Sequence, residues 1–343
     1  MSLCPQSNHP LCAAVAAIRA THPGLERLAV MVAVAARAKK CLLVVAPPGT
    51  GKSVVGEWLG GTHPNVIVRD SLTRSSLKQM ESELSEFEGV MIFDDLGKID
   101  TEYSCMQTVI TMAELVYGHY AAKETFQQSV LVHDFHGAAV LNVQPNILAS
   151  IVKQPSWHSN LADKTLRYYH LYRPTQTNRS VPTVALDWKT PFADVEESAE
   201  TNPLWRVCYR QGRSQWTVAR ATEHVHDLSR AIAAFGGRAQ VNDDDLRILQ
   251  WLLEPCSVEG ELLVKEGFGS NATLNANLLY LLVEFASYGN PTKAQIGEDY
   301  FMRPSQVQRV LSRMADYFYA PPKEAGRLYP TELILHLLEE AGV

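Results

Sequence analysis

Three things this chain of 343 residues lacks each exclude a class of protein. The six cysteines, Cys4, Cys12, Cys41, Cys105, Cys208 and Cys256, form no C-x-x-C pair and no cluster. Neither a zinc knuckle nor a disulfide framework is therefore expected, and a reducing cytosol is the natural compartment. No apolar run near the start is long enough to cross a bilayer: Leu28 to Ala36 is too short and ends in Arg37-Ala38-Lys39-Lys40. Neither a signal peptide nor an anchor is evident, so the expected location is cytoplasmic, with no membrane partner. Excess positive charge is missing too. A net charge of −6 argues against non-specific coating of nucleic acid, so any DNA contact must be local. Internal repeats and low-complexity tracts are also absent, and the remaining composition, 46% hydrophobic and 20% charged, suits a globular protein of two or three domains.

What is present starts at Ala46-Pro47-Pro48-Gly49-Thr50-Gly51-Lys52-Ser53, directly behind the apolar run Cys41-Leu42-Leu43-Val44-Val45 and ahead of a helical pattern from Val54. Glycines let successive N–H groups turn toward one concave anion site, and the following helix points its positive end there. This is a phosphate-binding loop in a strand-to-helix setting, so ATP is the expected ligand, cradled by Pro48, Gly49, Thr50, Gly51, Lys52, Ser53 and Val54. Lys52 is expected to reach the β- and γ-phosphates and Ser53 to ligate Mg²⁺. Ala46 stands where the usual G-x-x-x-x-G-K-[ST] pattern has its first glycine.

Around this loop apolar runs alternate with amphipathic segments. The pattern predicts two lead-in helices between residues 10 and 40, strand 41–46, helix 52–60, strand 65–68, helix 72–87, strand 90–93, helix 104–117, strand 138–141 and strand 168–171. Such alternation implies an α/β fold, a parallel sheet flanked by helices, with ligand at the carboxyl ends of the strands. Residues 174–203 read as a linker. Helices resume over 222–235 and from Leu246, which Asn242-Asp243-Asp244-Asp245 can cap. The expected units are 1–175, a nucleotide-binding core; 176–255, linker and helical lid; and 256–343, a C-terminal module.

Val90-Met91-Ile92-Phe93-Asp94-Asp95 is a strand ending in two carboxylates, a costly place for charge unless a metal or bound water compensates it. Asp94 is expected on the Mg²⁺ side and Asp95 at the attacking water. Asn142, at the tip of the 138–141 strand, either orients that water or initiates a turn before Pro145.

These residues resemble the AAA+ ATPase family over 25 to 175: Pro47 to Ser53 is close to its first motif, Asp94-Asp95 to its second and Asn142 to its first sensor. The resemblance implies a ring of subunits, a homo-oligomer with six members in the leading reading, with ATP between neighbours and an arginine from the adjacent subunit on the γ-phosphate. Asp95 stands where the family often has Glu, which implies slower hydrolysis or another water geometry. The family's finger falls before the last strand, where this chain has Lys164 by position and Arg167 as nearest guanidinium. Arg167 is the chemically favoured choice, because a planar fork suits phosphate oxygens. Arg220, Arg230 and Arg247 are candidates for a second sensor. Residues 118 to 141 leave room for a β-hairpin, which in helicase-like members touches DNA; Lys123, His133 and His136 would be the contacts, and an ordinary surface hairpin or a long helix end is the other reading.

The last stretch has a helix-turn-helix rhythm: Leu274 to Tyr288, a short helix from Pro291, then Gln306 to Phe318 with Ser305 as N-cap. Val307, Val310, Leu311 and Met314 would face inward; Gln306, Gln308, Arg309 and Arg313 would face DNA beside Arg303, with Lys323 and Arg327 on a following wing. Lid followed by winged helix resembles the order in AAA+ initiators and branch-migration motors. A three-helix domain for protein contacts is the alternative. The expected function is an ATP-hydrolysing motor or loader on DNA, of helicase, replication or mobile-element type, with a replication or mobile-element protein as a further partner. A nucleotide-gated scaffold with little hydrolysis and a remodeller of proteins are the other readings.

Overall fold

The computed structural model describes residues 5, 8–72, 74–96, 101–124, 129–157, 161–174, 180–265, 272–322, 324 and 326–343. Five strands, β1 (Cys41–Val45), β2 (Val66–Arg69), β3 (Val90–Phe93), β6 (Ala138–Val143) and β7 (Leu166–Tyr169), form one wholly parallel sheet in the order β2-β3-β6-β1-β7. Between β3 and β6, β4 (Ala121–Glu124) and β5 (Ser129–Val132) form a separate antiparallel hairpin.

The sheet strands read as unbroken apolar runs because both faces are covered. Cys41, Leu43 and Val45 of β1 point into one core with Met91, Phe93, Ala139 and Leu141, whereas Leu42 and Val44 point into the opposite core with Val90, Ile92, Ala138 and Val140. The second core is walled by α1 (Pro10–Thr21), α2 (Glu26–Arg37) and α3 (Lys52–Thr62). Every residue of α2 is buried, as a helix that is apolar nearly all round requires. The first core is walled by α4 (Arg74–Gln79), α5 (Glu81–Leu84), α6 (Glu102–Gly118) and α7 (Pro145–Val152). Thr101 accepts from the Ser104 N–H to start α6, and Pro145 starts α7 at a position that needs no N–H donor.

After β7 the chain crosses back over α2 and α3, where Trp58 Nε1 donates to Val184 O at 2.8 Å. It then forms α8 (Pro203–Gly212), α9 (Val218–Phe235) and α10 (Asp243–Ser257), which share the core of α1 and α2. Asn242 and Asp245 close a capping box at the start of α10. The last part holds α11 (Glu259–Leu262), the hairpin β8 (Leu263–Lys265) with β9 (Ala272–Leu274), α12 (Ala276–Tyr288), α13 (Lys293–Asp299), α14 (Pro304–Ser312), the short antiparallel pair β10 (Phe318–Tyr319) and β11 (Tyr329–Pro330), and α15 (Glu332–Glu340). This part joins the core of α6 and α7.

Several expectations shift. The helix expected over 72–87 breaks at Met80 (φ −96°, ψ 3°), which lets Leu77, Leu84 and Phe87 all bury. The last strand begins at Leu166 rather than Tyr168, because the polar Arg167 is itself a core residue. The 174–203 segment ends at α8, whose apolar residues are too sparse to predict a helix from the sequence. The division drawn at residue 255 falls inside α10. Pro304 opens α14, so Ser305 lies within the helix instead of capping it. Among the described residues no helix is long and apolar enough to cross a membrane.

Candidate functional site

The strand order brings the three motifs together. β6 lies between β1 and β3, pairing Val44 with Asn142 and Phe93 with Leu141, so the 46–51 loop, Asn142 and Asp94-Asp95 emerge side by side at the carboxyl edge of the sheet. That edge is where open parallel sheets bind ligands.

The loop has the backbone that the glycines were expected to allow. Gly49 and Gly51 hold φ of 75° and 84°. These positive φ values demand glycine at both positions; a Cβ on Gly51 would also sit 2.7 Å from the Leu25 side chain, whereas one on Gly49 would meet only the movable end of Arg173, 2.8 Å from Nη1. Ala46 needs no such freedom: its N–H donates to Val143 O at 3.1 Å, continuing the β1 ladder. Gly51 caps α3 without a side-chain hydrogen bond, leaving the first-turn N–H groups facing the loop. Thr50 is buried, with its hydroxyl on Pro47 O at 2.9 Å. Pro48, Gly49 and Ser53 are exposed, and Val54 is half-buried.

Lys52 Nζ donates to Ala46 O and Pro47 O, both at 2.7 Å. Burial pushes its pKa down to about 8, against the opposing pull of Asp95 and then Asp94, with Arg173 adding to the depression. Both carboxylates of the second motif are thus close enough to act electrostatically on the loop lysine. Gln144 Nε2 donates to Asp95 Oδ2 at 3.4 Å. Asn142 is 2% exposed, and its Nδ2 has no hydrogen-bond partner among the described residues.

Two residues that sequence reasoning missed complete this edge. His170, one residue past β7, reaches Thr50 O with Nε2 at 3.0 Å. Because a carbonyl only accepts, Nε2 carries the proton; burial, with Lys52 adding, pushes the pKa down to about 3, so the ring stays neutral. Arg173 donates from Nη1 to Pro48 O at 3.0 Å, placing a second cation against the loop. The available signal was position: both follow the carboxyl end of a parallel strand.

The other expected site residues lie elsewhere. Arg167 is unsuited to be a finger reaching a neighbour: it is 1% exposed and donates to Glu259 from Nε at 2.9 Å and from Nη2 at 2.6 Å. Its remaining donors go to Ala162 O, Thr165 O and Gln215 O. Lys164, in the turn before β7, is half-buried. Arg220 pairs with Glu223, Arg230 binds Val195 O and Ala193 O, and Arg247 pairs with Asp244; the contacts of all three lead away from the loop. His133 is exposed and pairs with Asp134, while His136 is half-buried near the His119 ring. Both precede β6, so they lie at the opposite edge of the sheet from the loop. Lys123 lies on β4, but its side chain and Lys323 fall outside the described residues. Arg303, Gln306, Arg309, Arg313 and Arg327 are all exposed, and Val307, Leu311 and Met314 are buried behind them.

Chemically the edge gathers the backbone N–H groups of α3, Lys52 and Arg173, which supply positive potential suited to an anion, with two carboxylates and the Asn142 amide N–H beside them. The fold and site define an α/β protein with a five-stranded parallel sheet flanked by helices, an architecture compatible with phosphate-loop proteins. No protein-family model matches the chain, and no curated protein matches it significantly.

The depressed lysine pKa yields a testable sign. An anion bound at the loop stabilises protonated Lys52, so binding above pH 8 must take up a proton. Affinity for a triphosphate is expected to be flat in this respect near pH 7 and to fall by up to about tenfold per pH unit above 8. Calorimetric titrations from pH 7 to 9.5 check it, and a flat profile would contradict it.

Proposed function

We propose that this chain is an ATPase of AAA+ type that acts on DNA as a motor or loader, working as a ring of subunits. The observation that carries the reading is the meeting of a loop with Gly49 and Gly51 at positive φ, Lys52 and the Asp94-Asp95 pair at one sheet edge. ATP is the substrate. Lys52 balances the charge that builds on the β–γ bridging and γ oxygens as water attacks in line. Asp95, steadied by Gln144, orients that water, and the unpaired Asn142 Nδ2 donates a hydrogen bond to hold it.

Ser53 and Asp94 would hold Mg²⁺, which when bound neutralises phosphate charge. The donor set fits. Ser53 is exposed in the first turn of α3 and Asp94 follows the carboxyl end of β3 at the same sheet edge, and Mg²⁺ in nucleotide sites uses only one or two protein oxygens beside phosphate and water.

For DNA, the support is the arrangement of α12 to α14 with the β10–β11 pair, a bridge between Thr292 and Arg327, and the exposed Arg309 on α14 and Arg313 just past its end. A winged helix places its last helix in this way. The nucleotide-gated scaffold remains a second reading, favoured by one observation: Arg167 is locked inside the subunit.

ATP turnover measured with and without duplex and single-stranded DNA, beside a native mass in nucleotide, tests the proposal. Stimulation by DNA and a ring mass are expected; unstimulated, near-zero turnover with intact binding would favour the scaffold. Asn142→Ala is expected to lower turnover by about 10²-fold, the worth of one transition-state donor, while leaving nucleotide affinity nearly unchanged.

A further inference from the structure

Arg173 stands at a junction between the phosphate loop and the C-terminal part of the chain. One side of its guanidinium touches the loop at Pro48 O. The other meets carboxylates from two helices: Glu284 of α12 accepts from Nη2 at 3.3 Å, and Asp299 at the end of α13 lies 3.5 Å from Nε. Tyr300 stacks under the guanidinium, 5.1 Å from its ring centre, and donates its hydroxyl to Glu284 at 2.7 Å. Tyr288 donates to Asp299 at 3.0 Å, and the Arg173 N–H donates to Ser287 Oγ at 2.9 Å. Beside this network a cavity of about 390 Å³ opens between Pro48, Asn146 and the α12–α14 helices. At the loop itself the contact is thus polar and centred on one arginine, whereas α12 also packs its apolar side chains into the core of α6 and α7, and the cavity beside the arginine is walled mostly by apolar side chains.

The balance of charge at this contact is delicate. Glu284 is 1% exposed, and burial pushes its pKa up to about 7 despite Tyr300 and Arg173. Even beside the guanidinium the carboxyl is only partly charged near neutrality, and loss of the guanidinium would move it further toward the neutral acid, because an uncompensated buried carboxylate is costly. A terminal phosphate offers the same guanidinium two charged oxygens in fork geometry, a stronger partner than the single 3.3 Å contact to Glu284.

We propose that Arg173 is a phosphate-contacting residue that exchanges Glu284 and Asp299 for the terminal phosphate of a nucleotide in the loop, so that triphosphate binding loosens the contact of α12 and α13 with the loop. This rests on the nucleotide reading above and adds its output. The proposed exchange lets the loop's occupant set how firmly the Glu284 and Asp299 ends of α12 and α13 are tied to the loop, while their apolar faces stay in the core.

Hydrogen exchange of the full chain, alone, with Mg·ADP and with a slowly hydrolysed ATP analogue, tests it, with occupancy checked by calorimetry in the same samples. The analogue is expected to speed exchange over 276–299 and ADP to leave it near the free state. Glu284→Gln keeps the hydrogen bond from Tyr300 but removes the competing charge. It should exchange fast over 276–299 without nucleotide and bind the analogue about tenfold more tightly. Arg173→Lys should bind the analogue about tenfold more weakly and lose the exchange response. A saturated wild type whose 276–299 exchange does not change, or a Glu284→Gln variant with unaltered affinity, overturns the proposal while leaving the nucleotide reading intact. Failure of the wild type to bind any nucleotide overturns both.

Discussion

Replacing Lys52 by Ala is expected to reduce ATP turnover to background, a loss of at least 10²- to 10³-fold on the scale of a removed transition-state charge, with the fold retained. The fold is expected to survive because the ammonium's hydrogen bonds go to loop carbonyls, Ala46 O and Pro47 O, next to the exposed Pro48 and Gly49 rather than to groups of the sheet core. Removing a lysine whose pKa is already depressed by burial also relieves a desolvation cost, so the variant should melt no lower than the wild type. Circular dichroism and a turnover assay on the same preparation separate the two effects. Unchanged turnover in the Ala variant would remove the catalytic assignment, whatever the loop binds.

The second large effect is structural and lies in the Arg167–Glu259 pair. Glu259→Ala strands a guanidinium that is 1% exposed and also takes the acceptor of Tyr169, whose hydroxyl donates to Glu259 at 2.8 Å. Breaking such a buried pair from one side costs about 3–5 kcal/mol, or a melting shift on the order of 10 °C for a chain of this size. Replacing both partners with apolar residues, Arg167→Met with Glu259→Leu, should recover much of the loss, because two desolvated charges disappear together. This double variant also decides between roles. Were Arg167 an intersubunit finger, turnover would fall by about 10³-fold or more. With Arg167 as a structural residue of β7, turnover per folded molecule should stay within a few-fold of the wild type, and thermal melts with active-site-normalised rates distinguish these outcomes.

How much could be read from the chain follows from the range of each interaction. The strand-loop-helix geometry at 41–53 was legible because its requirements are local: a strand, two glycines at positive φ, a lysine and a helix start. Asp94 and Asn142 could be paired with it once a parallel sheet was inferred, since strand ends share an edge. Arg167 misled because an arginine near a strand reads as a surface cation, and the carboxylate that allows its burial comes 92 residues later. Arg173 and Glu284 were invisible for the same reason, being 111 residues apart and joined only when α12 settles on the loop. The length of the 118–141 stretch left room for the β4–β5 hairpin but did not exclude a long helix end. The hairpin's location at the far edge of the sheet needed the full topology. α8 escaped because Leu204, Trp205 and Cys208 are spread among Arg206, Tyr209 and Arg210, too sparse a stripe to stand out beside a proline-rich segment.

The central claim is that Lys52, Asp94 and the helix start of α3 serve one nucleoside triphosphate. Calorimetric titration of the full chain with Mg²⁺ and a slowly hydrolysed ATP analogue, repeated with adenosine alone and with Lys52→Ala, tests it most directly. One saturable site per chain is predicted for the triphosphate, with binding strongly weakened when either the phosphates or the lysine ammonium is removed. No saturable heat with the wild type, or equal binding by Lys52→Ala, would contradict it.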